Sequence, residues 1–214
     1  MRARTFWQPA QGEPTDTLLL RHGQTPMSVQ KRYAGRSDVP LTDVGVQQAA
    51  AAAKRLASAG VGVIVTSPLL RAVQTAQEVA AVTGVALVTD DGFRETDFGA
   101  WEGLTFAEVR ERWPAEVTTW LADPEVAPPG GESFTDVSAR VTAALHRVLA
   151  AWPGQRVLIV SHVTPIKTLV TVALLAPPAA LYRMHLDVAA LSEIDWYADG
   201  PAVLRSFNDT SHLS

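Results

Sequence analysis

Apolar residues recur along this chain in two rhythms that take turns. Leu18-Leu19-Leu20 is an unbroken apolar run that ends abruptly in Arg21-His22-Gly23-Gln24-Thr25. Consecutive apolar residues bury both faces of a strand, so the run predicts a strand over 17–22 inside a parallel sheet. Helical spacing follows over about 43–58, a second short run over 62–66, a helix over about 68–82 and a strand near 85–89. Local signals agree. Thr42 stands where an N-cap belongs, Ser67-Pro68 places a hydroxyl ahead of a proline at the first helical position, and Gly84 lies just past the helix end.

Downstream, Thr105-Phe106-Ala107-Glu108 is a capping box opening a helix that Pro114 interrupts, and Asp123 to Gly131 reads as loop. The segment 93–131 is therefore expected to be an insertion forming a small helical lid. Phe134, Val137, Val141, Leu145 and Leu149 then lie on one face of a long helix. Arg156 to His162 repeats the design of the first strand, an apolar run ending in a histidine, with a helix starting near Pro165. Stretches 181–186, 191–197 and 203–207 alternate enough to suggest two or three further strands, the last pair joined through Asp199-Gly200. This alternation predicts an α/β fold of three layers, α/β/α, with a mostly parallel central sheet.

Composition narrows the function classes. With 214 residues, 47% of them hydrophobic and 19% charged, the chain suits one globular domain, expected over 17–214 behind a polar leader or interdomain linker at 1–16. A net charge of −4 and a pI near 5.7 argue against a nucleic-acid-binding surface. Absence of cysteine removes disulfides, thiolate metal sites and thiol nucleophiles. The N-terminus lacks the apolar core of a signal peptide, and the longest apolar stretch, near 170–181, is broken by Pro177-Pro178, so no membrane association and a cytoplasmic location are expected.

The candidate chemistry gathers at strand ends. In open α/β sheets ligands bind beyond the carboxyl ends of the strands. Arg21 and His22 follow the first strand, Arg71 falls in the first turn after the second, Glu95 follows the third, and His162 ends the fourth. Arg71 sits at the positive end of a helix macrodipole, where a cation is locally the wrong choice unless an anion is bound. Taken singly, each of these has a bland reading as a solvated or packed side chain. Two arginines, two histidines and one carboxylate on one edge suit a phosphoryl group better than a metal, for which Asp97 and Glu102 are the only other acidic candidates nearby. No metal and no cofactor are expected. A Gly-x-Ser-x-Gly elbow is missing, and Gly60-Val61-Gly62 lacks the rest of a dinucleotide fingerprint, which disfavours a serine hydrolase and a nucleotide-linked oxidoreductase.

Arg21-His22-Gly23-Gln24-Thr25, Ser67 to Ala76, Glu95 within Arg94 to Gly103, and Ser161-His162 together resemble the histidine phosphatase superfamily, the phosphoglycerate-mutase-like fold, over nearly all of 17–207. The Gly-Gly-Glu-Ser at 130–133 is most similar to the branch that includes α-ribazole phosphatases. Segments 95–108 and 161–167 are similar to the acid phosphatase module of bifunctional ribonuclease H/acid phosphatase proteins. What the resemblance implies is covalent phosphoryl transfer. His22 is the nucleophile, Glu95 the acid and then the base, and Arg21, Arg71 and His162 hold the phosphoryl oxygens. Ser28 stands where many relatives carry a phosphate-contacting Asn, and Val163-Thr164-Pro165 replaces their small glycine-rich turn. Positive charge beside His22 should disfavour its imidazolium form, which points to an acidic optimum.

These readings imply an acid phosphatase for a small-molecule phosphate monoester, with α-ribazole 5′-phosphate one candidate substrate. A phosphoglycerate mutase is the alternative within the family, and a non-catalytic phospho-ligand-binding module the alternative outside it. The second resemblance also implies fusion to a ribonuclease H domain in a longer protein, while the C-terminal sheet edge leaves a homo-oligomer open. Arg32, Tyr33, Arg36 and Trp101 are candidates for the mouth of the pocket, with exposed loop residues an equal reading.

Overall fold

A computed structural model describes residues 12–214. In chain order the elements are β1 (Thr15–Arg21), α1 (Pro26–Val29), α2 (Asp43–Leu56), β2 (Val63–Thr66), α3 (Leu70–Thr83), β3 (Leu87–Thr89), α4 (Phe106–Arg112), α5 (Pro114–Ala122), α6 (Phe134–Ala151), β4 (Arg156–Ser161), α7 (Val163–Ala173), β5 (Leu191–Trp196) and β6 (Ala202–Asp209). The six strands form one sheet in the order β3-β2-β4-β1-β5-β6. The first four are mutually parallel, and β5 and β6 extend the sheet antiparallel.

The apolar strand runs make two cores because successive side chains point to opposite faces. Leu18 and Leu20 meet α2 and α3 through Ala52, Leu56, Ala72, Ala76 and Val79. Leu19, Val65 and Ile159 meet α6 and α7 through Val137, Val141, Leu145, Ile166 and Leu169. Burying each Leu or Ile contributes on the order of 2 kcal/mol, so the sheet is held from both sides. A third core belongs to the segment between β3 and α6. Trp101, Val109, Val117 and Trp120 pack there with Phe98, Phe134 and Leu181.

Most helix ends are where the local signals place them. Thr42 caps α2, Thr105 and Glu108 close a reciprocal box on α4, Gly84 ends α3 in the left-handed region at φ +70°, and Pro114 separates α4 from α5. Four expectations shift. β1 begins at Thr15, inside the expected leader, whose residues 1–11 lie outside the described residues. The N-cap of α3 is Leu69 and not Ser67, and α7 starts at Val163, two residues before Pro165. Residues 181–186 form no strand: Pro178–Arg183 is a 3₁₀ helix, because Pro177-Pro178 preorganises a tight turn and Leu181 is drawn into the third core. Among the described residues no helix is long and apolar enough to cross a membrane.

Candidate active site

Strand register builds the centre of the site. Arg21 on β1 pairs with Ser161 on β4, so the next residues, His22 and His162, emerge side by side from adjacent parallel strands. Their ring centroids are 5.1 Å apart, close to the spacing of neighbouring strands. His22 is 5% exposed and His162 fully buried. The turn after His22 is fixed by backbone packing. A Cβ on Gly23 would stand 2.4 Å from the Gly45 carbonyl oxygen, and one on Gly45 would stand 2.1 Å from that of Gln24. Only glycines let the loop reach the start of α2 this closely.

Each histidine has one ring nitrogen committed. His22 Nδ1 lies 2.8 Å from its neighbour's carbonyl, Gly23 O, an acceptor that requires a proton on Nδ1 and leaves Nε2 with its lone pair. Burial lowers the His22 pKa well below 6.5, and the Arg71 and Arg21 charges push it further down. The expected sign from the flanking arginines is therefore right, but desolvation is the larger cause. His162 Nε2 lies 2.7 Å from Ser67 Oγ, which also accepts weakly from the Leu69 amide. A Ser67 proton donated to Nε2 puts the ring proton of a neutral His162 on Nδ1. Burial first, then Arg71, lowers the His162 pKa as well.

Arg71 is 1% exposed and no solvated helix residue. Its guanidinium donates to Ser37 O at 2.8 Å, Ala34 O at 2.8 Å and Gly35 O at 3.1 Å. The expected metal candidates are spent around it. Glu102 accepts from the Gly35 and Ser37 amides, and Asp97 accepts from Gly99 and pairs with Arg36. Arg21 donates to Leu186 O at 2.6 Å, and burial brings its pKa down to about 10. Among the five candidate groups, three buried donors have no protein partner: Arg21 Nε, Arg71 Nε and His162 Nδ1. Buried donors left open in this way are expected where a ligand supplies the acceptor.

Glu95, 8% exposed, faces the same cavity and accepts from the amides of Thr96 at 2.8 Å, Val163 at 3.1 Å and Thr164 at 3.3 Å. Its carboxylate thus rests on the N-terminus of α7. Arg21, His22, Arg71 and Glu95 line one cavity of about 390 Å³. With His162 beside His22 they make five groups from four segments, in a chain whose residues 17–210 match the family model of the histidine phosphatase superfamily (branch 1). The chain belongs to that superfamily.

Relatives of this chain differ in what they are said to do. A bifunctional protein of Mycobacterium tuberculosis is 50% identical over 208 residues, which are 97% of this chain and 57% of the relative. The chain thus spans little more than half the length of that relative. A probable phosphoglycerate mutase of Cronobacter sakazakii is 36% identical over 203 residues, covering 91% of this chain and 93% of the other. A solved mycobacterial glucosyl-3-phosphoglycerate phosphatase, in complex with VO3, superposes with a TM-score of 0.84 at 32% identity, covering 92% of this chain and all of that one.

The mouth of the pocket departs from the sequence-based expectation. Arg32 and Tyr33 do line it, but Arg36 faces outward onto Asp97, and Trp101 is fully buried in the third core. The aromatic wall is instead Tyr33, Phe98, Trp120, Phe134 and Tyr182. Ser28 lines the cavity, yet its hydroxyl donates to Thr25 O and accepts from the Thr25 amide, closing a capping box on α1. In this arrangement its proton points at Thr25 O, so a direct bond to phosphate requires the hydroxyl to turn. Sequence reading passed over Thr25, Thr164 and Lys167, all at the cavity, and Ser67 as the partner of His162. The motif Ser-His-Val-Thr-Pro-Ile-Lys at 161–167 held the signal for two of them.

Proposed function

We propose that this histidine phosphatase hydrolyses small phosphate monoesters through a phosphohistidine on His22. One observation carries the reading: a neutral imidazole with a free Nε2 faces three unpartnered buried donors, Arg21 Nε, Arg71 Nε and His162 Nδ1. In the first step His22 Nε2 forms a bond to phosphorus as the ester P–O bond breaks, and Glu95 gives its proton to the leaving oxygen. In the second step water attacks phosphorus, the P–N bond breaks, and Glu95 takes the water proton. The three donors meet the phosphoryl oxygens and need no reorganisation as charge develops. No step requires a metal.

The aromatic wall supports a leaving group with a flat apolar part, as in α-ribazole 5′-phosphate. It fits a phosphoglycerate poorly, because the carboxylate, a second anionic group beside the phosphate, needs a free cation there. Arg32 is held by Gly103 O, Gln30 and Glu108, so Lys167 is the cation left for the task. Trp120→Ala is expected to lower the ratio of kcat/KM for 2-naphthyl phosphate over glycerol 2-phosphate by about tenfold, an amount matching one lost aromatic contact. An unchanged ratio removes the wall from substrate selection. The length and description of the Mycobacterium tuberculosis relative also support a second activity in a longer protein, in line with the expected ribonuclease H fusion. The cytoplasmic location expected from the sequence belongs to the same reading.

The deciding experiment is phosphate release from p-nitrophenyl phosphate across pH with EDTA present, beside phosphoglycerate interconversion. Imidazole loses its nucleophilic lone pair only when pH falls below its pKa. Because the His22 pKa lies well below 6.5, the acid limb of kcat/KM is expected well below pH 6.5. A limb near 6.5, or a requirement for a divalent metal, overturns the assignment. Phosphoglycerate interconversion faster than phosphate release establishes the mutase.

A further inference from the structure

Glu95 stands on a segment with little regular structure of its own, only the 3₁₀ turn Asp91–Phe93. Ser161 Oγ holds the Phe93 carbonyl at 2.7 Å, and one side chain on α6 makes most of the other side-chain bonds to this backbone. Arg140 Nε donates to Glu132 Oε1 at 2.9 Å, Nη1 to Gly92 O at 3.0 Å and Arg94 O at 2.7 Å, and Nη2 to Glu95 O at 3.0 Å and Glu132 Oε2 at 2.9 Å. These bonds use every N–H a guanidinium has. Glu132 Oε2 in turn accepts from the Asp97 amide at 2.9 Å, and the Glu132 amide donates to Asp97 O at 2.8 Å. The chain from Gly92 to Asp97 is thus tied down at both ends and at Glu95 itself.

We propose that Arg140, clasped by Glu132, is a positioning residue that sets where the Glu95 carboxylate meets the leaving oxygen. The inference rests on the proton-transfer role of Glu95 given above. A surface ion pair needs two donors at most, whereas here three bonds go to the Gly92, Arg94 and Glu95 carbonyls of the acid-bearing loop. Neither Arg140 nor Glu132 lines the main cavity, so neither touches substrate. Proton transfer is sensitive to placement within about 1 Å, and loosening the loop degrades it without altering the phosphate grip. Lysine cannot replace the arginine, since an ammonium has three donors and no planar fork.

The test uses the dependence of kcat/KM on the leaving group, because kcat/KM reports steps up to formation of the phosphoenzyme. p-Nitrophenolate departs with little help from an acid, and the alkoxide of glycerol 2-phosphate does not. In Arg140→Met the ratio of kcat/KM for glycerol 2-phosphate over p-nitrophenyl phosphate is expected to fall about tenfold. Glu132→Gln, which keeps the shape, is expected to lower it in the same direction and carries the test should Arg140→Met fail to fold. Both substrates are measured on one preparation, so the amount of folded protein cancels. A ratio equal to wild type, whatever the overall loss, makes the clasp merely structural and overturns the proposal. Wild-type protein that releases phosphate from neither ester overturns the phosphatase reading instead.

Discussion

His22→Ala is expected to lower kcat for phosphate release by about 10⁴-fold or more, the scale seen when a covalent nucleophile is removed. That is about 5.5 kcal/mol of transition-state stabilisation. The remaining groups, Arg21, Arg71 and His162, still gather phosphate, so binding is expected to survive where turnover does not. Equilibrium binding of inorganic phosphate, followed by calorimetry, separates the two. A second readout is covalent: an alkaline quench of wild type with substrate is expected to trap one added phosphoryl group on His22, and the variant none. Turnover within tenfold of wild type in His22→Ala would sink the phosphohistidine route. The fold is expected to tolerate the change, because the Gly23–Gly45 backbone contact and the β1–β4 ladder fix the turn without the ring.

Arg71→Met carries the second-largest effect and moves three quantities at once. Its guanidinium is bound by the carbonyls of Ala34, Gly35 and Ser37. Leaving buried acceptors unpaired costs roughly 1–3 kcal/mol each when nothing relaxes. The loop edge can rehydrate, so a net loss of about 3 kcal/mol in unfolding free energy is expected by denaturant titration. Activity is expected to fall about 10³-fold, with KM for the phosphate ester rising, because a charge-assisted donor to the phosphoryl group is gone. The third effect is the most diagnostic. Arg71 is the largest electrostatic cause, after burial, of the lowered His22 pKa. Removing a cation favours the imidazolium form, so the His22 pKa rises and the acid limb of kcat/KM moves up towards neutral pH. A variant whose acid limb stays in place shows that Arg71 does not act on His22 electrostatically.

The two predictions rest on side chains whose significance was legible to different degrees. His22 and His162 could be found because each ends an apolar run, and parallel strands in register deliver equivalent positions to the same edge. Arg71 was marked by breaking the macrodipole rule, and such breaks tend to coincide with function. Nothing local distinguished Arg140 from any other arginine on an amphipathic helix. Its partners, Gly92, Arg94 and Glu95, lie more than forty residues earlier, and only the packing of that loop on α6 brings their carbonyls to it. Ser28 is the opposite case. Its position pointed to phosphate, but a short helix recruited its hydroxyl for its own cap.

The sequence by itself determined the strand and helix rhythm, the capping box at Thr105, the placement of the reactive groups at strand ends and the superfamily, since these depend on neighbours within a few residues or on ordered motifs. Only the tertiary structure decided which aromatics wall the pocket, that Trp101 is core and Trp120 is not only core, that Ser67 orients His162, and that Arg140 holds Glu95. The division has one physical reason. Backbone propensity and burial periodicity are local, whereas hydrogen-bond partners of side chains are chosen by whichever donors and acceptors folding leaves within about 3 Å of one another.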